Sequence, residues 1–281
     1  IDRDRAKVSS ARRHIDGLGI YGSVSADYLN DKALPYSDNM VNLLVCEDPE
    51  ALGIAAGEIQ RVLVPNGVAY IKDGNNAWIK TQKPRPDNID EWTHFLHSAT
   101  GNAVAKDDVV GPPRHLQWIG NPRWSRHHDR MASTSAMVSA NGRLFYIMDE
   151  GSRISIQLPA KWQLIARDAF NGTILWKRTI PNWQSHLWPL KSGPTNLARR
   201  LVAKDDRVFV TLGFNAPTVA LDAATGKTLT TFADSEGTEE LIHTKGIVYL
   251  LVNKGDMETS RFAPKLNVGD QARVDKEFHW N

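Results

Sequence analysis

Two stretches 54 positions apart constrain the fold more than anything else in this chain. ARDAFNGTILW at 166–176 aligns without gaps on ALDAATGKTLT at 220–230, so that Asp222 answers Asp168 and Gly226 answers Gly172. Each copy follows a β-branched or aromatic run, NGRLFYIMD from 141 and DDRVFVTLG from 205, and a third such run, TKGIVYLLV, starts at 244. Short apolar runs bounded by Gly, Asp and Asn predict strands in antiparallel hairpins. Gly172 and Gly226 stand where a hairpin turn needs a residue tolerant of positive φ, and Asp168 and Asp222 can bond the turn's own backbone. Trp176 then packs between sheets rather than reading a cofactor. The second copy has Thr230 in its place, with Phe232 two residues on.

The N-terminal part carries a different pattern. Val8, Ala11, Ile15 and Leu18 recur at helical spacing, with Asp4 placed to cap the start and Gly17 and Gly19 to end it, which predicts a helix over residues 5–17. A short strand near 23–26 and the loop LPYSDN come next. MVNLLVC is a continuous apolar run of strand length and suits a strand buried on both faces of a parallel sheet. Leu52, Ala56, Ile59 and Leu63 predict another helix, PNG a turn, and VAYI a further buried strand. This order predicts an α/β, doubly wound, Rossmann-like partial domain. Residues 72–91, rich in Gly, Asn, Pro and charge, read as a linker.

Over residues 1–72 the chain resembles class I S-adenosylmethionine-dependent methyltransferases, on IDRD before the first helix, on VSADYLNDKALPYSDNMVNLLV and on EIQRVLVPNGVAYI. The resemblance implies that Asp2 binds the ribose hydroxyls and that Asp27 takes the acidic position near the adenine, with S-adenosylmethionine as cofactor of the full-length protein. The family's Gly-rich loop would lie before residue 1. The opening IDRDRAK, without methionine, reads as part of a longer chain. The family's Asn/Asp-Pro-Pro-aromatic signature is not matched by CEDPEAL. Glu47 or Asp48 there is a candidate general base, against the plainer reading of surface acids at a helix start.

Units of ~40–50 residues, each a small antiparallel sheet, are the blades of β-propellers. The pattern A-x-D-A-x-x-G-x-x-L-W resembles the pyrroloquinoline-quinone-like (PQQ-like) propeller repeat over about residues 92–255, and Trp92 and Trp118 fill the family's lead-in tryptophan positions. Together the resemblances imply residues 1–80 as the C-terminal part of a methyltransferase-like domain, 81–91 as linker, and 92–281 as an incomplete, all-β PQQ-like propeller of about three blade units. The quinone itself is not expected. Dehydrogenases of that kind carry a metal and often a vicinal disulfide, and Cys46 is the single cysteine.

Two polar stretches are ligand candidates. NPRWSRHHDR offers Arg123, Trp124, Arg126, His127 and His128 to an anionic or aromatic ligand, against a polar loop at a blade end. Adjacent histidines on a strand face opposite ways, which argues against a shared metal. His94 and His97 could share a helical face, but no third ligand is near in sequence, so no metal is expected. SHLWPLKSGPTNLARR places His186, Trp188, Lys191 and Arg199 in an insertion between strands.

Composition narrows the class further. With 34 Lys and Arg against 32 Asp and Glu, no charge field favours nucleic acid, and no stretch reaches the ~20 apolar residues of a membrane helix. Three functions remain: a propeller-based binding or scaffold protein carrying a methyltransferase-like domain, active or degenerate; a working methyltransferase whose propeller presents substrate; and, weakest, a PQQ-dependent dehydrogenase. The expected partner is a protein or small molecule on the propeller loops. Such propellers are commonly extracytoplasmic whereas S-adenosylmethionine is cytoplasmic, so the compartment stays open.

Overall fold

The computed structural model describes residues 1–112, 116–121, 133–154, 158–184 and 196–255. The chain divides into two compact units, Ile1–Asp87 and Asn88–Asn281.

In the first unit, helix α1 (Arg5–Gly17) forms where the spacing predicts it. The Asp4 carboxylate accepts from Ala6 N and Lys7 N at 2.8 and 3.2 Å, and Val8 and Ile15 are buried. Beyond α1 the chain forms β1 (Val41–Cys46), α2 (Ala56–Val62), β2 (Leu63–Lys72) and β3 (Trp78–Gln82), the strands joined as one sheet in the order β1-β2-β3.

This corrects the expected α/β Rossmann-like domain. The pair β1–β2 is parallel, but β3 runs antiparallel to β2 and occupies part of the stretch read as linker. A doubly wound sheet needs helices on both faces. Among the described residues the chain has two α-helices, of 13 and 7 residues, and the rest of its regular structure is almost all strand. MVNLLVC is not buried on both faces: Leu43 and Val45 are 56% and 61% exposed, while Leu44 turns inward to the cluster of Ile59, Leu63 and Ala69. PNG does not separate a helix from a strand either. It lies within β2, where Asn66 has φ 66°, and the pairing jumps from Val41↔Leu63 to Leu43↔Val68. A Cβ on Gly67 would sit 2.7 Å from the Val64 carbonyl oxygen, so this bulge requires glycine.

The second unit is built from antiparallel meanders. Strands β4 (Thr134–Ala140), β5 (Arg143–Asp149), β6 (Trp162–Asp168) and β7 (Ile174–Thr179) form one four-stranded sheet in sequence order. Strands β8 (Leu201–Lys204), β9 (Arg207–Thr211), β10 (Thr218–Asp222) and β11 (Thr228–Thr231) form a second, and β12 (Thr238–Thr244) with β13 (Ile247–Val252) a hairpin of the same sense. The predicted runs at 141, 205 and 244 are therefore hairpin strands. First strands lie side by side, β4 against β8 and β8 against β12.

Alternation along β8 explains how the sheets cover one another. Leu201 and Ala203 join Phe145, Ile147 and Leu164 of the first sheet in one buried cluster, while Val202 faces Leu241 of β12 in the next. Complete burial of a side chain such as Phe145 contributes about 1.5–3 kcal/mol.

The repeated turns behave as their residues predict. Asp168 accepts from Phe170 N and Asn171 N at 2.8 and 3.1 Å, and Asp222 from Thr225 N at 2.8 Å; Gly172 and Gly226 have φ 74° and 70°. Trp176 leaves its own sheet and donates its Nε1–H to Ala223 O at 3.0 Å, lying against Gly226 of the next turn. Trp118 repeats the arrangement one sheet earlier, donating to Ala169 O at 3.3 Å and lying against Gly172.

Candidate functional site

The segment from Asp90 to Gly101 crosses the ends of the three first strands as a strap. Trp92 O accepts from Ser139 N at 2.7 Å, Thr93 O from Ala203 N at 3.0 Å, and His94 Nε2 from His243 N at 3.1 Å. Ser139, Ala203 and His243 are equivalent. Each stands two residues before the first turn residue of its sheet's opening hairpin, and those turn residues, Asn141, Asp205 and Lys245, all have positive φ. Three consecutive strap residues thus serve three consecutive sheets. Each takes up an N–H that a strand end would otherwise leave without a partner.

The third acceptor is a side chain, and this fixes its protonation. Nε2 accepts, so His94 is neutral with its proton on Nδ1, which donates to Thr93 Oγ1 at 2.7 Å; that hydroxyl points on to His97 O at 3.3 Å. Burial, reinforced by the nearby His243, lowers the His94 pKa to about 4. His94 and His97 do not share a helical face. They pair across a tight turn with His97 at φ 69°, and His97 Nε2 meets Asp90 Oδ2 at 2.7 Å. The Lys106 N–H, with those of Glu91 and the His97 ring, holds Asp90 down at about 2. Trp92 sets its ring edge-on to His97, 5.4 Å between centroids. Among the described residues no group of three or more His, Cys, Asp or Glu side chains could hold a metal ion.

Beside the strap a cleft of about 840 Å³ opens between the β8–β9 and β12–β13 hairpins, with Lys204, Asp205, Asp206, Arg207, His243 and Lys245 in its wall and Asp222 at its edge. Its carboxylates are engaged. Asp206 takes Arg143 Nη1 at 2.8 Å and Asn141 Nδ2 at 3.2 Å, Asp222 takes the Thr225 hydroxyl and N–H, and Asp205 lies 3.3 Å from Lys204 Nζ. Arg207 and Lys245 are exposed and form no ion pair among the described residues. The His243 ring stacks on Phe209 at 5.2 Å and 17°, and burial lowers its pKa.

The residues singled out from sequence fall elsewhere. Asp2 and Asp27 are brought together by backbone, Asp2 N donating to Asp27 O at 3.1 Å. Their carboxylates face different partners: Asp2 accepts from Asp4 N, which lowers its pKa, and Asp27 pairs with Arg12 at 2.9 Å. Glu47 pairs with Lys72 at 2.9 Å, and Asp48 accepts from Ala51 N at 2.8 Å in the turn after β1. Arg199 pairs with Glu240 at 2.7 Å. Arg123, Trp124, Arg126, His127 and His128, like His186, Trp188 and Lys191, lie outside the described residues. Sequence reasoning does not single out the strap as a site. Its sequence signal is the polar, aromatic stretch DEWTHFLH, which the tryptophan resemblance touches at Trp92 and which enters otherwise only through His94 and His97 as a metal pair.

Successive antiparallel meanders, stacked face to face with their first strands adjacent, define a β-rich protein of propeller type. No family model and no curated protein matches the chain. Among solved structures it is similar to a europium-containing methanol dehydrogenase at 16% identity and a TM-score of 0.28, over 42% of this chain and 20% of that one. The chain thus spans about a fifth of that enzyme's length. Neither the three-stranded sheet of the first unit nor these comparisons support the methyltransferase resemblance.

Proposed function

We propose that this chain is a propeller-type binding module whose cleft between the β8–β9 and β12–β13 hairpins takes an acidic segment of a protein partner. One observation carries the reading: every carboxylate in the cleft wall is already engaged, while Arg207 and Lys245 form no ion pair among the described residues. Arg143 offsets the charge of Asp206 and Lys204 that of Asp205, and Arg207 with Lys245 outweighs the single charge of Asp222, so what is left to meet a ligand is positive. The cleft is open, which suits an extended peptide better than an enclosed small molecule. The strap supports the role by fixing both hairpins through hydrogen bonds to their backbone, so the surface is organised before binding.

The test is fluorescence anisotropy with labelled Asp/Glu-rich and Lys/Arg-rich decapeptides. Wild type should prefer the acidic peptide. Arg207→Glu with Lys245→Glu should weaken that binding at least about tenfold, roughly 0.7 kcal/mol per reversed charge, and raised salt should weaken it further. Equal affinity for both peptides, or an unaffected double variant, would overturn the reading.

A further inference from the structure

Arg200 ends the 3-10 turn Leu197–Arg200 and leads into β8, at the end of that strand away from Asp205 and the strap. It is completely buried. One edge of its guanidinium is satisfied: Nη1 donates to Phe214 O at 2.7 Å, and the group lies 4.7 Å from the Phe214 ring centre. The other edge is not. Nε and Nη2 are buried without a hydrogen-bond partner among the described residues.

No counter-charge among the described residues meets this group. Glu239, the acid whose field reaches it, accepts from Asn253 Nδ2 at 3.0 Å. Burial pushes the Arg200 pKa down to about 10, so the guanidinium still carries its charge at neutral pH. A buried cation with donors unmet is among the costliest arrangements in a protein interior, and it persists where something pairs with it. The unmet edge also has a particular shape. Nε–H and one Nη2–H run parallel, which is the fork that receives two oxygens of one carboxylate or phosphate.

A further polar atom lacks a partner at this end of the second sheet. Thr211 Oγ1, beside Arg200 by the Leu201↔Val210 pairing, is buried and unmet among the described residues.

We infer that Arg200 Nε and Nη2 hold a small oxyanion, a carboxylate or phosphate group, in a buried site at the end of the second sheet away from the cleft. The site is independent of the acidic-peptide reading, which concerns the opposite end of β8. Its chemistry is recognition by a bidentate, charge-assisted pair of hydrogen bonds, with the Phe214 ring stacked on the guanidinium.

Arginine Nε–H resonances of the 15N-labelled protein report on this edge directly. Sodium acetate and, separately, inorganic phosphate are titrated with ionic strength held constant by sodium chloride. The Arg200 Nε–H signal should shift saturably with one of the two, and thermal stability should rise in parallel. A response to acetate alone assigns a carboxylate ligand, and a response to phosphate alone a phosphoryl ligand. Arg200→Lys keeps the charge and removes the fork, so affinity should fall tenfold or more; Arg207→Glu should leave it unchanged. If neither anion moves the signal in the wild-type protein, the inference fails. The wild-type titration decides this even if the lysine variant does not fold.

Discussion

The sheet of the first unit and those of the second use the same alternation to opposite effect. In β1, Leu44 faces in while Leu43 and Val45 face out, and with Tyr70 and Trp78 they leave an apolar sheet face uncovered within that unit. In β8, Leu201 and Ala203 meet one neighbouring sheet and Val202 the next, so both faces are covered. Repetition makes this difference. A sheet that recurs supplies its own cover, whereas a lone three-stranded sheet with a 7-residue helix on one side does not.

Substitutions can break or sharpen the contrast, and the largest effect should come from the covered face. Phe145→Ala should destabilise the second unit by about 3–5 kcal/mol, while Leu43→Ala should stay within about 0.5 kcal/mol. Urea midpoints of the two variants check this, and equal losses would mean that β1 is covered after all. A smaller effect separates two glycines with nearly the same φ. A Cβ at Gly226 would lie 2.6 Å from the Trp176 indole, whereas Gly246, at φ 77°, opens on empty space. Gly246→Ala should cost about 1 kcal/mol for backbone strain alone and Gly226→Ala at least about 2 kcal/mol, as read by thermal unfolding.

The smallest effect concerns pH. His94 is neutral in the fold with its pKa lowered from 6.5 to about 4, so between those values the unfolded chain binds the extra proton. Its stabilising contribution is complete above pH 6.5 and declines as pH falls towards 4. Asp90, lowered from 3.8 to about 2, loses its contribution in the next window down. His94→Asn should flatten the upper window in a pH series of denaturant melts. An unchanged slope there would show that the Nε2 contact with His243 N does not govern titration.

How much of the fold is legible in the sequence depends on where the information sits. The hairpins at 141, 205 and 244 are readable because Asp and Gly mark turns through local chemistry, and Trp176 because a tryptophan facing a glycine turn needs a neighbour to cover it. The fate of MVNLLVC is not, since an apolar run reads alike whether both faces are covered or one. Nor is the strap. Its first two acceptors are backbone carbonyls, which any residue at 92 and 93 would offer, and the His94 ring acts through its register against His243. Arg200 is hidden for a related reason, because a basic residue in LARR reads as surface until the 3-10 turn carries it inward.

The strap also bears on the order in which the molecule comes together. Its contacts reach forward along the chain from Ser139, 47 positions away, to His243, 149 positions away. Closing loops of that length brings little reward until the hairpins exist to receive them. The segment that comes early in sequence is thus among the last to settle, and once seated it makes the loss of any one sheet a loss felt by all three.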